Sequence, residues 1–254
     1  VSFIRKDTAL TPTKLVRALR GGSIGVLSVA STCAAAGIIV GVVTLTGLGL
    51  KFSSIILAYA GGSVLLTVIY TAMIVWIIGL AVPVTASYII AVVICAPAMI
   101  QLGIPEFAAH MFVFYYAILS EVSPPTALSP FAAAALTGGN PYKTTMYAWK
   151  YTLPAFIVPF MFTVDPKGIG ILLKGPVVDV IWTTITAFVG IAALAGGVEN
   201  WLFKKTTLYE RIMLIIAGLA LVYPQPLYDI VGFGLIVLVI VSRKLRRDAE
   251  TSSA

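Results

Sequence analysis

Two short stretches of this 254-residue chain combine proline with serine and threonine inside otherwise apolar runs. The first is GLAVPVTAS (79–87), and the second is SEVSPPTALSPF (120–131). Proline interrupts a helix and leaves upstream carbonyl oxygens without an intrahelical partner. Free carbonyls and hydroxyls suit a hard cation such as sodium, and the N-terminus of a following half-helix suits a carboxylate. The residue types therefore predict that the two stretches form half of a site for a cation and an anionic substrate.

Each stretch supplies its own candidate ligands. Gly79 permits close backbone approach, Pro83 leaves a carbonyl free, and Val84 starts the helix whose N-terminus faces the tip. In the second stretch, Pro124-Pro125 interrupts the helix in the same way. The predicted sodium ligands are Gly79, Thr85, Ser87, Ser123, Pro124 and Thr126, and the predicted substrate contacts are Pro83, Val84, Pro125 and Thr126.

The competing interpretation is that both stretches are ordinary proline kinks. In that case the hydroxyls would only satisfy the local backbone. The presence of two such breaks in consecutive apolar blocks favours a site.

Glu121 is the only acid between Phe107 and Tyr142. An ionisable group at membrane depth is a functional hypothesis by default. Glu121 is therefore predicted to be a sodium ligand, a proton carrier or a partner of His110. The alternative is that it faces a water-filled vestibule and has no specific role.

The composition predicts an integral membrane protein made of helices. Mean hydropathy is +1.02 and charged residues make up 11% of the chain, against roughly 25% in a soluble domain. The net charge of +7 lies in clusters at 5–20, 204–211 and 243–247. Such clusters indicate cytoplasmic loops beside anionic lipid, with no nucleic acid partner. The single histidine and two separated cysteines give little support for zinc or haem.

The predicted fold is an all-α polytopic bundle with a re-entrant hairpin at about 62–101 and a broken helix at about 107–137. The re-entrant assignment follows from parity, because residues 1–20 and Lys143 should both be cytoplasmic. A basic amphipathic helix within 1–22 is expected to begin at Thr11-Pro12 and end at Gly21-Gly22, with a plain linker as the alternative.

The remaining boundaries complete the predicted organisation. Residues 23–164 form the unit with the two breaks, beginning with a span at 23–50 and ending with a span at 149–164. Residues 165–242 form a three-helix extension, and 243–254 form a disordered cytoplasmic tail. Because Val1 replaces an initiator methionine and the first residues are polar, we expect the sequence to begin inside a longer polypeptide.

Four stretches, taken in order, resemble the large membrane subunit of TRAP transporters, and most of all the fused permease of the TAXI type. They are STCAAAGIIVGVVTLTGLGLKFS, GLAVPVTASYI, AAHMFVFYYAILSEVSPPTALSPFAAAALTG and AWKYTLPAFIVPFMF. The resemblance covers roughly residues 15–165. The chain from Val177 is similar to the variable C-terminal helices of the fused proteins.

The resemblance implies a tripartite system in the cytoplasmic (inner) membrane of a bacterium or archaeon. A soluble periplasmic binding protein would deliver a dicarboxylate-like organic acid to a permease driven by sodium, with no other cofactor. An elevator-type transport domain would contain two inverted repeats, each with a hairpin and a broken helix. This chain would hold the second repeat, and its partners would be the N-terminal half of the permease and the small-subunit helices.

The chain departs from the family pattern at the breaks. Val84 stands where threonine is common, and Ser87 replaces alanine. Ser123 stands for threonine and keeps the hydroxyl, whereas Thr126 adds one. Glu121 occupies a variable position.

Two other functions stay open at this point. One is a proton-coupled carboxylate transporter that uses Glu121. The other is an assembly subunit with no transport activity on its own. An enzyme is disfavoured, because the chain has no paired acids, histidine cluster or nucleophile elbow.

Overall fold

The computed structural model describes residues 11–202 and 204–252, and the helices account for most of them. The predicted all-α membrane architecture is confirmed. The helices are α1 Pro12–Thr46, α2 Leu48–Ala60, α3 Val64–Gly79, α4 Val84–Gln101, α5 Glu106–Leu119, α6 Leu128–Thr137, α7 Pro141–Thr152, α8 Val158–Val164, α9 Val177–Glu199, α10 Leu208–Val222 and α11 Pro226–Ser252. Short 3-10 turns cover Ser120–Val122, Leu153–Phe156 and Pro166–Leu172, and β1 (Trp201–Leu202) pairs antiparallel with β2 (Lys204–Lys205).

Three helices of the described chain are long and apolar enough to cross a membrane. They are α1, α4 and α9, whose most apolar windows have mean hydropathies of 2.2, 1.9 and 2.0. The chain is therefore a multi-pass integral membrane protein.

α1 is longer than the sequence predicts. Thr11 caps its N-terminus by accepting a hydrogen bond from the Lys14 amide at 3.3 Å, and Pro12 follows in the first turn. The helix then continues through Gly21-Gly22, so the predicted end there is wrong. Two glycines cost about 1 kcal/mol each in a helix, which does not outweigh apolar helical sequence on the C-terminal side. The helix ends at Gly47 in the left-handed conformation (φ 65°), before the predicted end of the span at residue 50.

The part of the predicted basic segment that precedes Thr11 lies outside the described residues.

α2 to α5 and α8 enclose the main apolar core. Its fully buried members include Val68, Val75, Met99, Phe112 and Phe162. Ser53 of α2 donates to the Ile94 carbonyl of α4 at 3.0 Å. This core fixes the two elements that carry the breaks.

The helices on either side of the first break are short. α3 has 16 residues and α4 has 18, which gives lengths of about 24 and 27 Å. The hydrocarbon core of a bilayer is about 30 Å thick. α3 is shorter than this thickness, whereas α4 is just long enough to cross. The re-entrant hairpin therefore stays a prediction.

The chain after the second break is interrupted again. Gly138 ends α6 in the left-handed conformation and Asn140 caps α7. α7 then stops at Thr152, and α8 begins at Val158 after a 3-10 turn. The predicted continuous helix over 149–164 is therefore wrong, because Pro154 and Pro159 each remove a backbone donor.

α9, α10 and α11 pack closely through glycine. A methyl group on Gly218 of α10 would overlap Leu194 of α9 and would lie 2.7 Å from the Gly190 carbonyl oxygen. Gly232 of α11 lies equally close to Leu221 of α10. Small residues let helices approach in lipid, where no hydrophobic force drives them together.

The end of α11 also differs from expectation. Its backbone remains helical to Ser252, so the disorder predicted for 243–254 is not found at 243–252, and residues 253–254 lie outside the described chain. The four basic residues at 243–247 lie in helical sequence without interruption by Gly or Pro, which explains the continuation.

Candidate functional site

The two breaks meet at one small cavity. It has a volume of about 150 Å³ and is lined from both sides. Its lining residues are Gly79, Leu80, Ala81, Val82, Pro83, Glu121, Thr126 and Leu128. The fold thus brings together two stretches that lie some forty residues apart in the sequence.

Gly79 lies directly against the second break. A methyl group at this position would overlap the Ser120 hydroxyl and would lie 2.6 Å from Ser120 Cβ. It would also lie 3.2 Å from the Ser87 hydroxyl of α4. Any larger side chain must therefore push the end of α3 away from the broken helix.

The first break leaves backbone carbonyls without partners. The last amides of α3 bond back into the helix, ending with Ala81 N to Ile78 O at 3.0 Å. α4 begins with Ser87 N bonded to the Pro83 carbonyl at 2.9 Å. Between them, the carbonyl oxygens of 80–82 accept no hydrogen bond from the backbone of the described chain. The first amides of α4 face the same turn and have no intrahelical acceptor.

The second break has an irregular backbone. The Pro124-Pro125 peptide is cis, and Ala127 adopts the left-handed conformation with φ 38°. Alanine is rare in this region, which costs about 1–2 kcal/mol for a residue with a Cβ. Pro130, in the first turn of α6, has no amide to bond the Thr126 carbonyl. Ala127 and Pro130 are both buried.

Two of the hydroxyls at the second break satisfy the local backbone. Ser120 donates to the Ala117 carbonyl at 2.7 Å, and Ser123 donates to the Leu119 carbonyl at 2.8 Å. The kink interpretation describes these two residues well.

Two other hydroxyls have no partner. Ser87 Oγ and Thr126 Oγ1 are buried and form no hydrogen bond with any described residue. Buried hydroxyls are nearly always bonded, so an orphan calls for an explanation such as an ion or water. Ser87 belongs to the first break, and Thr126 belongs to the second.

The predicted site residues thus divide into groups. Gly79, Pro83, Glu121 and Thr126 line the cavity. Ser87 lies close to Gly79, and the Ser123 hydroxyl donates to the backbone of its own segment. Thr85 is exposed. The cavity lining does not include Thr85, Val84, Pro124 or Pro125.

Sequence reasoning missed Ser120, the neighbour of Gly79, and the backbone of 80–82. Ser120 opens the second break and the three apolar residues precede Pro83. Their position beside the prolines could have identified them as site residues, whereas their residue types could not.

His110 does not pair with Glu121, so that prediction is wrong. Its Nδ1 lies 2.8 Å from the Tyr88 hydroxyl, and its Nε2 lies 4.0 Å from the Glu106 carboxylate. α5 ends at Leu119, and His110 lies more than two turns before that end. Within the described residues Glu121 forms no ion pair.

A larger cavity of about 300 Å³ lies one turn away. Trp76 of α3, Tyr116 of α5 and Trp149 of α7 line it, and Tyr116 donates to the Phe156 carbonyl at 2.7 Å. It contains no residue of either break. Its lining is aromatic and aliphatic, which does not suit a small cation.

A comparison with protein families identifies the chain's relatives. The family model described as "Tripartite ATP-independent periplasmic transporter, DctM component" matches residues 2–167. The match includes both breaks and ends where the C-terminal extension begins. Comparison with curated proteins gives no match, and comparison with solved structures gives none.

Proposed function

Because this chain belongs to the DctM family of tripartite ATP-independent periplasmic transporters, we propose that the cavity between its two breaks binds a sodium ion and an organic acid during import. The family is one of secondary transporters that work with a periplasmic binding protein, so the chain is a transporter component. Sodium coupling, the acid and the assignment of the site are our proposal.

The observation that carries the proposal is the convergence of the two breaks on one cavity. Unbonded backbone carbonyls come from 80–82, and an unpartnered hydroxyl comes from Thr126. Discontinuous helices in transporters coordinate cations with unwound carbonyls and attract anions with half-helix N-termini. α4 and α6 both begin at the cavity, at Val84 and Leu128. A sodium ion would take the oxygens, and a carboxylate would take the amides of the two helix starts.

Proton coupling through Glu121 is the second candidate. Glu121 is the one acid in the cavity lining. A carboxylate there could take up a proton in place of a sodium ion.

The proposal extends to partners and location. A periplasmic substrate-binding protein would deliver the acid, and an N-terminal half with small-subunit helices would complete the permease. The chain would lie in the inner membrane with a cytoplasmic C-terminus. If that half carries the activity alone, this chain would be an assembly subunit.

Uptake in proteoliposomes tests the proposal. The full permease would be reconstituted, and uptake of labelled dicarboxylates would be followed with the binding protein, with and without an inward sodium gradient. We expect uptake to require both. Uptake driven by a pH gradient without sodium, and lost in Glu121→Gln, would replace sodium by a proton. Unchanged uptake after conversion of Pro124-Pro125 to Ala-Ala would favour the assembly role.

A further inference from the structure

One polar contact joins α4 to α5 close to the cavity. Tyr88 is the residue after Ser87, and its hydroxyl lies 2.8 Å from His110 Nδ1. Tyr88 is five residues from Pro83, about 7.5 Å along a helix axis. Among the described residues, the Tyr88–His110 contact is the only side-chain hydrogen bond between α4 and α5.

The buried core that both helices join is apolar. Ala91 on α4 and Ala108, Ala109 and Ala117 on α5 belong to it, together with larger side chains such as Met99 and Phe112. Contacts of this kind are non-directional, so they fix the distance between two helices better than their sliding position. A hydrogen bond weakens steeply with misalignment. The Tyr88–His110 bond is therefore the directional contact that would favour one register of α4 on α5.

The surroundings hold both rings in place. The Tyr88 ring packs edge-to-face on Phe114, with centroids 5.6 Å apart and an interplanar angle of 85°. Glu106 lies 4.0 Å from His110 Nε2. In the tautomer with Nε2–H turned toward Glu106, Nδ1 accepts a hydrogen bond from the Tyr88 hydroxyl.

From this geometry we propose that Tyr88 and His110 are positioning residues of the transport site. Their bond holds the Pro83 end of α4 against α5, and so holds the first break in register with the second. The inference rests on the proposed function for its consequence in transport. The geometric part stands on its own.

Variants at these positions separate the bond from simple packing. Tyr88→Phe removes only the hydroxyl. His110→Asn keeps an amide oxygen near the position of Nδ1, whereas His110→Gln reaches toward Nε2 and loses that acceptor. Tyr115→Phe is the matched control on α5, because the Tyr115 hydroxyl has no hydrogen-bond partner among the described residues.

Cross-linking measures the register without relying on activity. Val82→Cys and Leu128→Cys place one thiol on each side of the cavity, in a chain carrying Cys33→Ala and Cys95→Ala. Oxidation by copper phenanthroline in liposomes then reports how often the breaks meet. We expect Tyr88→Phe and His110→Gln to slow cross-linking by roughly two- to tenfold, as for one hydrogen bond. His110→Asn and Tyr115→Phe should retain the parent rate.

Sodium-driven uptake provides the second readout. We expect the half-saturating sodium concentration to rise roughly two- to tenfold in Tyr88→Phe and His110→Gln, with the maximal rate unchanged. If the unmodified permease shows no sodium dependence, the proposed function fails, and cross-linking still decides the positioning role. If cross-linking is unchanged in Tyr88→Phe, or falls equally in Tyr115→Phe, the positioning role is overturned.

Discussion

Gly79 shows what a single missing Cβ makes possible at the breaks. Its neighbours are Ser120 on the broken helix and Ser87 on α4. The glycine therefore lets three segments meet at one point. Proline interrupts the helix at each break, and the close contact at Gly79 allows the two breaks to line the same cavity.

Replacing Gly79 by alanine should separate the breaks. The added methyl group overlaps Ser120, and overpacking of this kind costs about 1–3 kcal/mol. We expect a lower melting temperature in detergent and loss of uptake. Gly41→Ala on α1 is the control, because nothing lies within 4 Å of its added methyl. Normal uptake by Gly79→Ala would show that the contact is not needed.

Thr126 provides a test of the orphaned hydroxyl. Thr126→Val keeps the shape of the side chain and removes the oxygen, which should raise the half-saturating sodium concentration about tenfold or more if a bond to a charged group, worth about 1.5–3 kcal/mol, is lost. Thr126→Ser should behave like the parent. Thr137→Val removes a hydroxyl bonded to the Ala133 carbonyl and should leave sodium dependence alone. Equal sodium curves for Thr126→Val and the parent would remove Thr126 from the site.

At the scale of elements, proline and capping signals were the informative part of the sequence. The Thr11 cap, the turn at 80–83 and the break after Val122 lie where the residue types predict them. Helix ends set by glycine were harder. Gly21-Gly22 lies inside α1, whereas Gly47 caps its C-terminus. After the turn at Gly47, Gly49 of α2 packs so closely on α4 that an added methyl group would lie 2.8 Å from the Val93 carbonyl oxygen.

The cavity could be predicted only in part. Proline and hydroxyl content identified both sides of it, and Glu121 was recognised as the acid within it. Which hydroxyls face inward depends on helix rotation, so Thr85 and Ser123 were assigned to the ion although one is exposed and the other is bonded to Leu119. Residue type cannot reveal that rotation across an irregular turn.

Glycine packing between α9 and α10 predicts a second overpacking effect. Gly218→Ala would force a methyl into Leu194 and the Gly190 backbone, at a cost of about 1–3 kcal/mol. We expect a clear fall in melting temperature. Gly234→Ala on α11 is the control, with open space around it. If the melting temperature fell equally in both variants, the effect would come from the glycine-to-alanine change in a helix and not from overpacking between α9 and α10.

At the scale of the whole molecule, an ion pair, a hydrogen bond and an apolar cluster attach the C-terminal helices to the family-matched part. Lys150 pairs with Glu199 at 3.0 Å, and Gln225 donates to Asp165 at 3.0 Å. Between them Met161 packs in a cluster with Ala187, Leu194 and Val222.

Packing should outweigh the ion pair in this attachment. Lys150 and Glu199 are partly exposed, and such pairs contribute at most about 1 kcal/mol. Met161 is fully buried, and its replacement by alanine should cost about 2–5 kcal/mol. Thermal unfolding should therefore respond strongly to Met161→Ala and weakly to Glu199→Gln. The reverse order would show that the electrostatic contact dominates.

The length of α1 has a consequence for how the molecule sits in lipid. Its uncharged part, residues 21–46, is about 39 Å long at 1.5 Å per residue, against a hydrocarbon thickness of about 30 Å. A helix whose apolar length exceeds the bilayer thickness accommodates by tilting, by kinking or by thickening the bilayer locally. A tilted α1 would cross the membrane obliquely, and its tilt would decrease in a thicker bilayer. Because α4 packs on α1, a change in membrane thickness that reorients α1 would also shift α4, the helix that begins beside the cavity.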